Sequence, residues 1–260
     1  MSKKIGLVLG SGGARGFCHI GVIEVLQENN IPIDIITGCS MGALIGGGFA
    51  AGVSATRMRE IASQVTTRTV FDIDIRNIFR GGLAHGSRAM TLFRQYAGDI
   101  HIEECNTTFR AIAADLRGQK LHVFSDGPVH EAVRASIAIP GIFHPVEHEG
   151  MLLVDGGIMK RMPISEAKEL GADIIIAVDA IGAPRPPSST STFSILDASY
   201  QTIDWRSAQH EGQHADILIT PELGTRSSFI FSQSEDAIKI GREAAIAALP
   251  SIKKLLEVYG

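Results

Sequence analysis

Two glycine-rich segments in the first 42 residues carry the side chains best suited to chemistry: Gly10-Ser11-Gly12-Gly13-Ala14-Arg15-Gly16 and Gly38-Cys39-Ser40-Met41-Gly42. The second puts a serine between two glycines, in the Gly-x-Ser-x-Gly spacing that exposes a hydroxyl on a tight turn. The first is a loop whose backbone N–H groups can point at developing negative charge. Acyl transfer needs both: a nucleophile, here Ser40, and donors for the oxyanion that forms on the carbonyl oxygen.

Elements of the right kind flank both segments. Ile5–Leu9 and Ile33–Thr37 are short apolar runs that read as strands, and each leads directly into its loop. Ala43 to Ala51 is small and apolar, as suits a helix packed closely on a sheet. Gly38 and Gly42 relieve the strained backbone of such an elbow and let the helix approach, leaving Ser40 at the helix N-terminus.

A serine hydroxyl needs a base. Val154-Asp155-Gly156-Gly157 places an aspartate at the end of an apolar strand, and strand ends line the crevice of an α/β sheet. Two readings of Asp155 stand: it faces Ser40, or it is an Asp-Gly turn former. The apolar stretch Ala135 to Pro140 is expected to pack near the same edge. A second hydrolase order is also present in the chain, Ser40 followed by Asp155 or Asp179 and then His210 or His214, as in α/β-hydrolases with a Ser-Asp-His triad. The two histidines lie four residues apart on a polar helical stretch, Trp205 to His214, and read first as an exposed helix face. Without a third ligand they do not make a metal site.

Further strand-like runs are Phe109–Asp115, Leu121–Ser125, Met151–Val154, Asp173–Asp179 and Asp216–Thr220, and helical patterns at Phe17 to Gln27, Ile164 to Leu170 and Ser234 to Leu249 alternate with them. This predicts a three-layer α/β/α fold with a mostly parallel central sheet covered on both faces. One domain over residues 1–260 is expected, with a core of about 5–221 and C-terminal helices over 233–259. Two segments break the pattern and are candidate lids: residues 68–94, with Asp72, Asp74, Arg76, Arg80 and the glycines from Gly81 to Gly86, and the Pro- and Ser-rich residues 181–193.

Composition narrows the function classes. A net charge of −4 with dispersed Lys and Arg argues against nucleic acid as a partner. Cys18, Cys39 and Cys105 have no metal-ligand spacing and read as reduced thiols. No run matches a signal peptide or membrane span, so a cytoplasmic protein is expected. Residues 10–16 fit neither a dinucleotide fingerprint nor a P-loop, although a phosphate cradle at a helix N-terminus remains a non-enzymatic alternative. So does a regulatory protein that keeps the motifs as scaffold.

Taken in order, the loop at 10–16, Gly-x-Ser-x-Gly at 38–42, the Ala-Ser-x-x-x-Pro stretch at 135–140 and Asp-Gly-Gly at 155–157 resemble the bacterial single-domain patatin-like phospholipases, from about Ile5 to Asp179 and again at Asp216–Pro221. The resemblance implies a Ser40–Asp155 dyad in place of a triad. It also implies an oxyanion site at the N–H groups of Gly12, Gly13 and Met41, lipid acyl esters as substrates, transient membrane contact, and no metal or organic cofactor. Arg15 would be structural or would hold a substrate phosphate. The chain departs from the family at Ser11, where a glycine is common, and after Gly157, where Ile158-Met159-Lys160-Arg161 replaces a family Asn. Lys160 and Arg161 are read as solvated or as contacts for an anionic head group.

Overall fold

In the computed structural model, which describes residues 3–72, 82–187 and 189–259, eight strands form one sheet: β1 (Ile5–Leu9), β2 (Ile35–Cys39), β3 (Thr108–Asp115), β4 (Lys120–Phe124), β5 (Val146–His148), β6 (Met151–Asp155), β7 (Ile174–Val178) and β8 (Ile217–Ile219). The order β8-β7-β1-β2-β3 is parallel throughout. β3 continues into an antiparallel part, pairing with both β4 and β6, and β6 pairs with β5.

Alternation along the central strands divides the apolar residues between two faces. Leu7, Leu9, Ile174, Ile176 and Val178 pack with α1 (Cys18–Glu28), α2 (Met41–Ala50) and α9 (Ser234–Tyr259). Val8, Ile35, Ile175 and Ala177 face the other way, onto α7 (Ile164–Glu169) and α8 (Thr192–Gly212). Helices therefore cover both faces, as the near-continuous apolar strands require. The first face also carries α3 (Ala55–Gln64), α4 (Thr67–Val70), α5 (Ser87–Ala97) and α6 (Val129–Ser136). Ser54 caps α3 and the carboxylate of Asp72 caps α5, accepting the N–H groups of Gly86 at 2.7 Å and Ser87 at 2.9 Å.

Several elements differ from the sequence expectation. β2 lies two residues later than Ile33–Thr37, because the Asp34 carboxylate takes the Ile5 N–H at 2.7 Å and the ladder starts just beyond it. The Trp205 to His214 stretch is the end of a helix that begins at Thr192, capped by Ser191. Residues 181–187 and 189–191 are irregular, so only part of that lid candidate is a loop. The C-terminal segment is one helix running through Pro250. From the other lid candidate, Asp74, Arg76, Arg80 and Gly81 lie outside the described residues. Its flanks are packed: Phe71 stacks on Phe143 at 5.2 Å, and Leu83 and Ala84 donate to the Ile142 carbonyl. No helix among the described residues is long and apolar enough to cross a membrane.

Candidate active site

Ser40 joins the end of β2 to the start of α2 with φ 55° and ψ −122°, a left-handed backbone rare for a residue with a side chain. Gly42 makes the turn possible, since a Cβ there would stand 2.0 Å from the Leu9 carbonyl oxygen. The Ser40 N–H donates to Ser136 Oγ at 2.8 Å, and Ser136 Oγ donates to the Ile112 carbonyl at 2.7 Å. The end of α6 thus braces the elbow. Ser136 belongs to the stretch expected to pack nearby, but its contact to a backbone amide 96 residues away leaves no trace in local sequence.

The strand register brings Asp155 to Ser40. Ala111 and Ile112 of β3 pair with Gly38 and Cys39 on one side and with Phe124 and Val123 of β4 on the other. The next residue, Ala113, pairs with His122 of β4 and with Asp155. A strand residue has one neighbour per side, so β6 occupies the same edge of β3 as β2, and the two strands meet end to end. Cys39 stands opposite Ile112 and Asp155 opposite Ala113.

The Asp155 carboxylate is 2% exposed. It accepts the Gly157 N–H at 2.8 Å, lies 3.8 Å from the Cys39 thiol, and shares a cavity lining with Ser40, whose hydroxyl favours its charged form. Asp155 is thus a turn former, capping the short turn Gly156–Ile158, and it lines the same cavity as Ser40. Burial disfavours the charged form more than these bonds favour it, and the carboxyl is pushed up to about 6. Gly156 permits close packing, because a Cβ there would lie 2.8 Å from the Ile112 carbonyl oxygen.

The glycine-rich loop is tied down from several directions. Gly10 N–H donates to Val178 O, Ser11 N–H to Arg161 O and Ala14 N–H to Ser228 O. Fully buried His19 holds the Gly10 carbonyl through Nε2 at 2.8 Å, and burial lowers its imidazole to about 4, so it is neutral and donates that bond. The N–H groups of Gly12, Gly13 and Met41 have no acceptor among the described residues. Gly16 packs the loop on α2: a Cβ there would fall 2.6 Å from Met41 Cβ, so only a glycine lets the loop touch the first residue of α2. The loop and the start of α2 therefore carry three backbone donors without a protein partner among the described residues.

The basic residues take structural places. Arg15 spends its guanidinium on the carbonyls of Ala180, Ile181, Gly224 and Arg226, which makes it a brace for the loop and leaves no fork for a substrate phosphate. Arg161 is neither solvated nor a head-group contact. It is 1% exposed, pairs with Asp179 at 2.7 Å and also reaches the Gly182 carbonyl. Lys160 is held by Ser165 and Glu166. Asp179, engaged with Arg161 and the N–H groups of Ile181 and Gly182, is not placed as a triad acid. His210 and His214 are exposed and line neither cavity at Ser40. Among the described residues no three His, Cys, Asp or Glu side chains gather as a metal-ligand set.

Two cavities meet at Ser40. One, of about 130 Å³, runs among Leu44, Met58, Phe93 and Phe231 and is apolar almost throughout. The other, of about 50 Å³, holds Ser11, Asp155, Asp197, Gln201 and Ser228. Gly13, Ser40 and Ile139 line both. Asp197 and Gln201 come from the front half of α8, which the composition of residues 181–193 concealed.

Residues 7–168 match the family of patatin-like phospholipases. An uncharacterised NTE family protein of Mycobacterium tuberculosis is 40% identical over 190 residues, which cover 72% of this chain and 52% of that protein. Lysophospholipase NTE1 of Coccidioides immitis is 35% identical over 185 residues, 70% of this chain and 12% of that protein. The chain thus spans about half the length of its mycobacterial relative and a small part of the fungal one. Among solved structures, ExoU of Pseudomonas aeruginosa in its complex with SpcU aligns at a TM-score of 0.58 and 13% identity, covering 98% of this chain and 53% of that one. VipD of Legionella pneumophila aligns at 0.51 and 14%, covering 99% and 67%. These two structural likenesses agree with the fold described above. With most of the sheet and the elbow inside the matched residues, the chain belongs to the patatin-like phospholipase family.

Proposed function

We propose that the chain is a serine acyl hydrolase that cleaves lipid acyl esters through a Ser40–Asp155 dyad. The observation that carries this reading is that Ser40 and the buried Asp155 line one cavity, which meets a second, apolar cavity at Ser40. Ser40 Oγ attacks the ester carbonyl as Asp155 takes the hydroxyl proton. The oxyanion rests on the N–H groups of Gly12, Gly13 and Met41, each such donor typically worth ~3–4 kcal/mol in the transition state. Collapse of the tetrahedral species expels the alcohol, which leaves with the proton from Asp155. A water, deprotonated by the same carboxylate, then attacks the acyl-serine and releases the fatty acid.

An ordinary aspartate is a weak base for this step. A carboxyl raised to about 6 lies closer to working pH and is a better one, while still ionised near neutrality. The larger apolar cavity suits an acyl chain, and the smaller one, which presents Asp197, Gln201 and Ser228 among apolar residues, suits the alcohol portion. The relative named a lysophospholipase supports a lipid as the source of that ester. None of these steps uses a metal or an organic cofactor, and contact with a lipid surface would be transient.

The test is intact-protein mass spectrometry after reaction with an alkyl fluorophosphonate. One adduct mapped to Ser40, absent in Ser40→Ala and strongly slowed in Asp155→Asn, is the expected result. A folded wild type that takes no adduct would overturn the reading.

A further inference from the structure

The apolar cavity has a second end. Ile61, Val65, Thr69, Leu92 and Tyr96 line it, and the same five residues line an outer groove between α3, α4 and α5 that shares no residue with the cavity of Asp155. Beyond them the groove changes character, with Gln64, Arg68, Arg88 and Gln95 all exposed. The five residues therefore stand between an apolar interior and a surface groove rimmed by polar and charged side chains. Nothing in the wall is backbone held in a sheet; it is closed by side chains from three short helices.

Of the five, Tyr96 is the largest, and it is fixed from outside. The Arg57 guanidinium of α3 lies over its ring, 5.0 Å from the centroid, and Arg57 is in turn paired with Glu60 one turn further along α3. The ring on α5 is thus clamped against α3 across the wall.

We propose that Tyr96 ends the acyl path and is a specificity-determining residue for chain length; this rests on the acyl hydrolase reading above. A chain that starts at Ser40 gains from each methylene it places in the apolar cavity, about fourfold in kcat/KM per methylene. The gain stops at the ring, because further methylenes would be driven into the wall or the polar groove. Replacing the ring with a small side chain opens the wall and lengthens the path.

The test compares kcat/KM for p-nitrophenyl esters from butyrate to palmitate. In the wild type the values should climb with length and then level off. Tyr96→Ala should move the levelling point to longer chains and raise the palmitate-to-butyrate ratio on the order of tenfold, somewhat less than two newly buried methylenes would give. Tyr96→Leu, which retains an apolar filling should the alanine variant fold poorly, should give a smaller shift in the same direction. Tyr96→Phe, which keeps the ring, should restore the wild-type ratio. Profiles of Tyr96→Ala and Tyr96→Leu that superimpose on the wild type would overturn the proposal. Calorimetric binding of fatty acids of the same lengths to Ser40→Ala, with and without Tyr96→Ala, reads the same shift without chemistry. A wild type inert on every ester would sink the hydrolase reading, while the binding series would still decide the role of Tyr96.

Discussion

Ser136 Oγ accepts the Ser40 N–H at 2.8 Å while giving its own proton to the Ile112 carbonyl at 2.7 Å, so one hydroxyl on α6 ties the sharp turn at Ser40 to the strand beside it. Ser136→Ala leaves that amide buried without an acceptor. The expected loss of stability is ~1–3 kcal/mol, read as a shift of the urea midpoint. kcat should fall more than KM changes, because the elbow shifts while the cavity is untouched. Unchanged stability and turnover would remove Ser136 from the site.

Asp155 gives linked predictions in pH. With the carboxyl raised to about 6, the base is ionised only above that value, so kcat/KM should rise through an apparent pKa near 6. Stability runs the other way. The native state binds this proton more tightly than the unfolded chain, so the contribution is full below the ordinary carboxyl value and is lost as pH rises through about 6. Asp155→Asn should therefore be inactive yet more stable than wild type at pH 8, by up to about 3 kcal/mol, with the difference vanishing near pH 4. Thermal melts at both pH values check this; a destabilised Asn variant at pH 8 would mean the carboxylate is well solvated.

Gly13 has φ +54°, and a Cβ there would fall 2.3 Å from the Ser228 carbonyl oxygen, which itself accepts the Ala14 N–H. Gly13→Ala must push the loop away from that partner and misalign its free donors. A loss of ~10²-fold or more in kcat is expected, as for removal of an oxyanion donor, with a lower thermal midpoint. Retention of wild-type kcat would place the oxyanion elsewhere.

The triad alternative makes opposite predictions for Asp179 and the histidines. Asp179 faces a buried arginine, so Asp179→Ala should cost ~3–5 kcal/mol in folding by leaving Arg161 uncompensated. His210→Ala and His214→Ala change exposed positions and should keep kcat/KM within about twofold. Esterase assays on the two histidine variants decide it: a collapse in either would restore the triad.

The parts of the site readable in sequence are those that local chemistry writes into consecutive residues. An apolar run, a glycine, a serine and a small-residue helix must follow one another to make the elbow at Ser40, and the loop at 10–16 announces itself in the same way. Asp155 is legible as a strand end that could face Ser40. The route that brings it there is not, because β6 reverses direction and joins β3 beyond the end of β2, a pairing set by tertiary register. Arg161 is the sharper lesson. Beside Lys160 it looks like a solvated pair, and only the buried Asp179, 18 residues on, makes it a core residue. Pro250 misleads in a similar way. It removes a helical N–H, but α9 continues past it, with Ile252 buried in the core beyond, and tertiary packing overrides the local penalty.

With the proposed Ser40–Asp155 dyad, the end-to-end meeting of β2 and β6 along β3 makes activity an all-or-none property of one strand's alignment. A slip of β6 by a single residue would carry Asp155 ~3.4 Å along the ladder and turn its side chain to the opposite face of the sheet, away from Ser40. No half-formed version of the site exists between those two alignments. Fraying of the β5–β6 hairpin, which forms the outer border of the antiparallel part, would therefore silence the enzyme while the parallel strands remained intact, so loss of activity should precede loss of the fold as the protein is warmed.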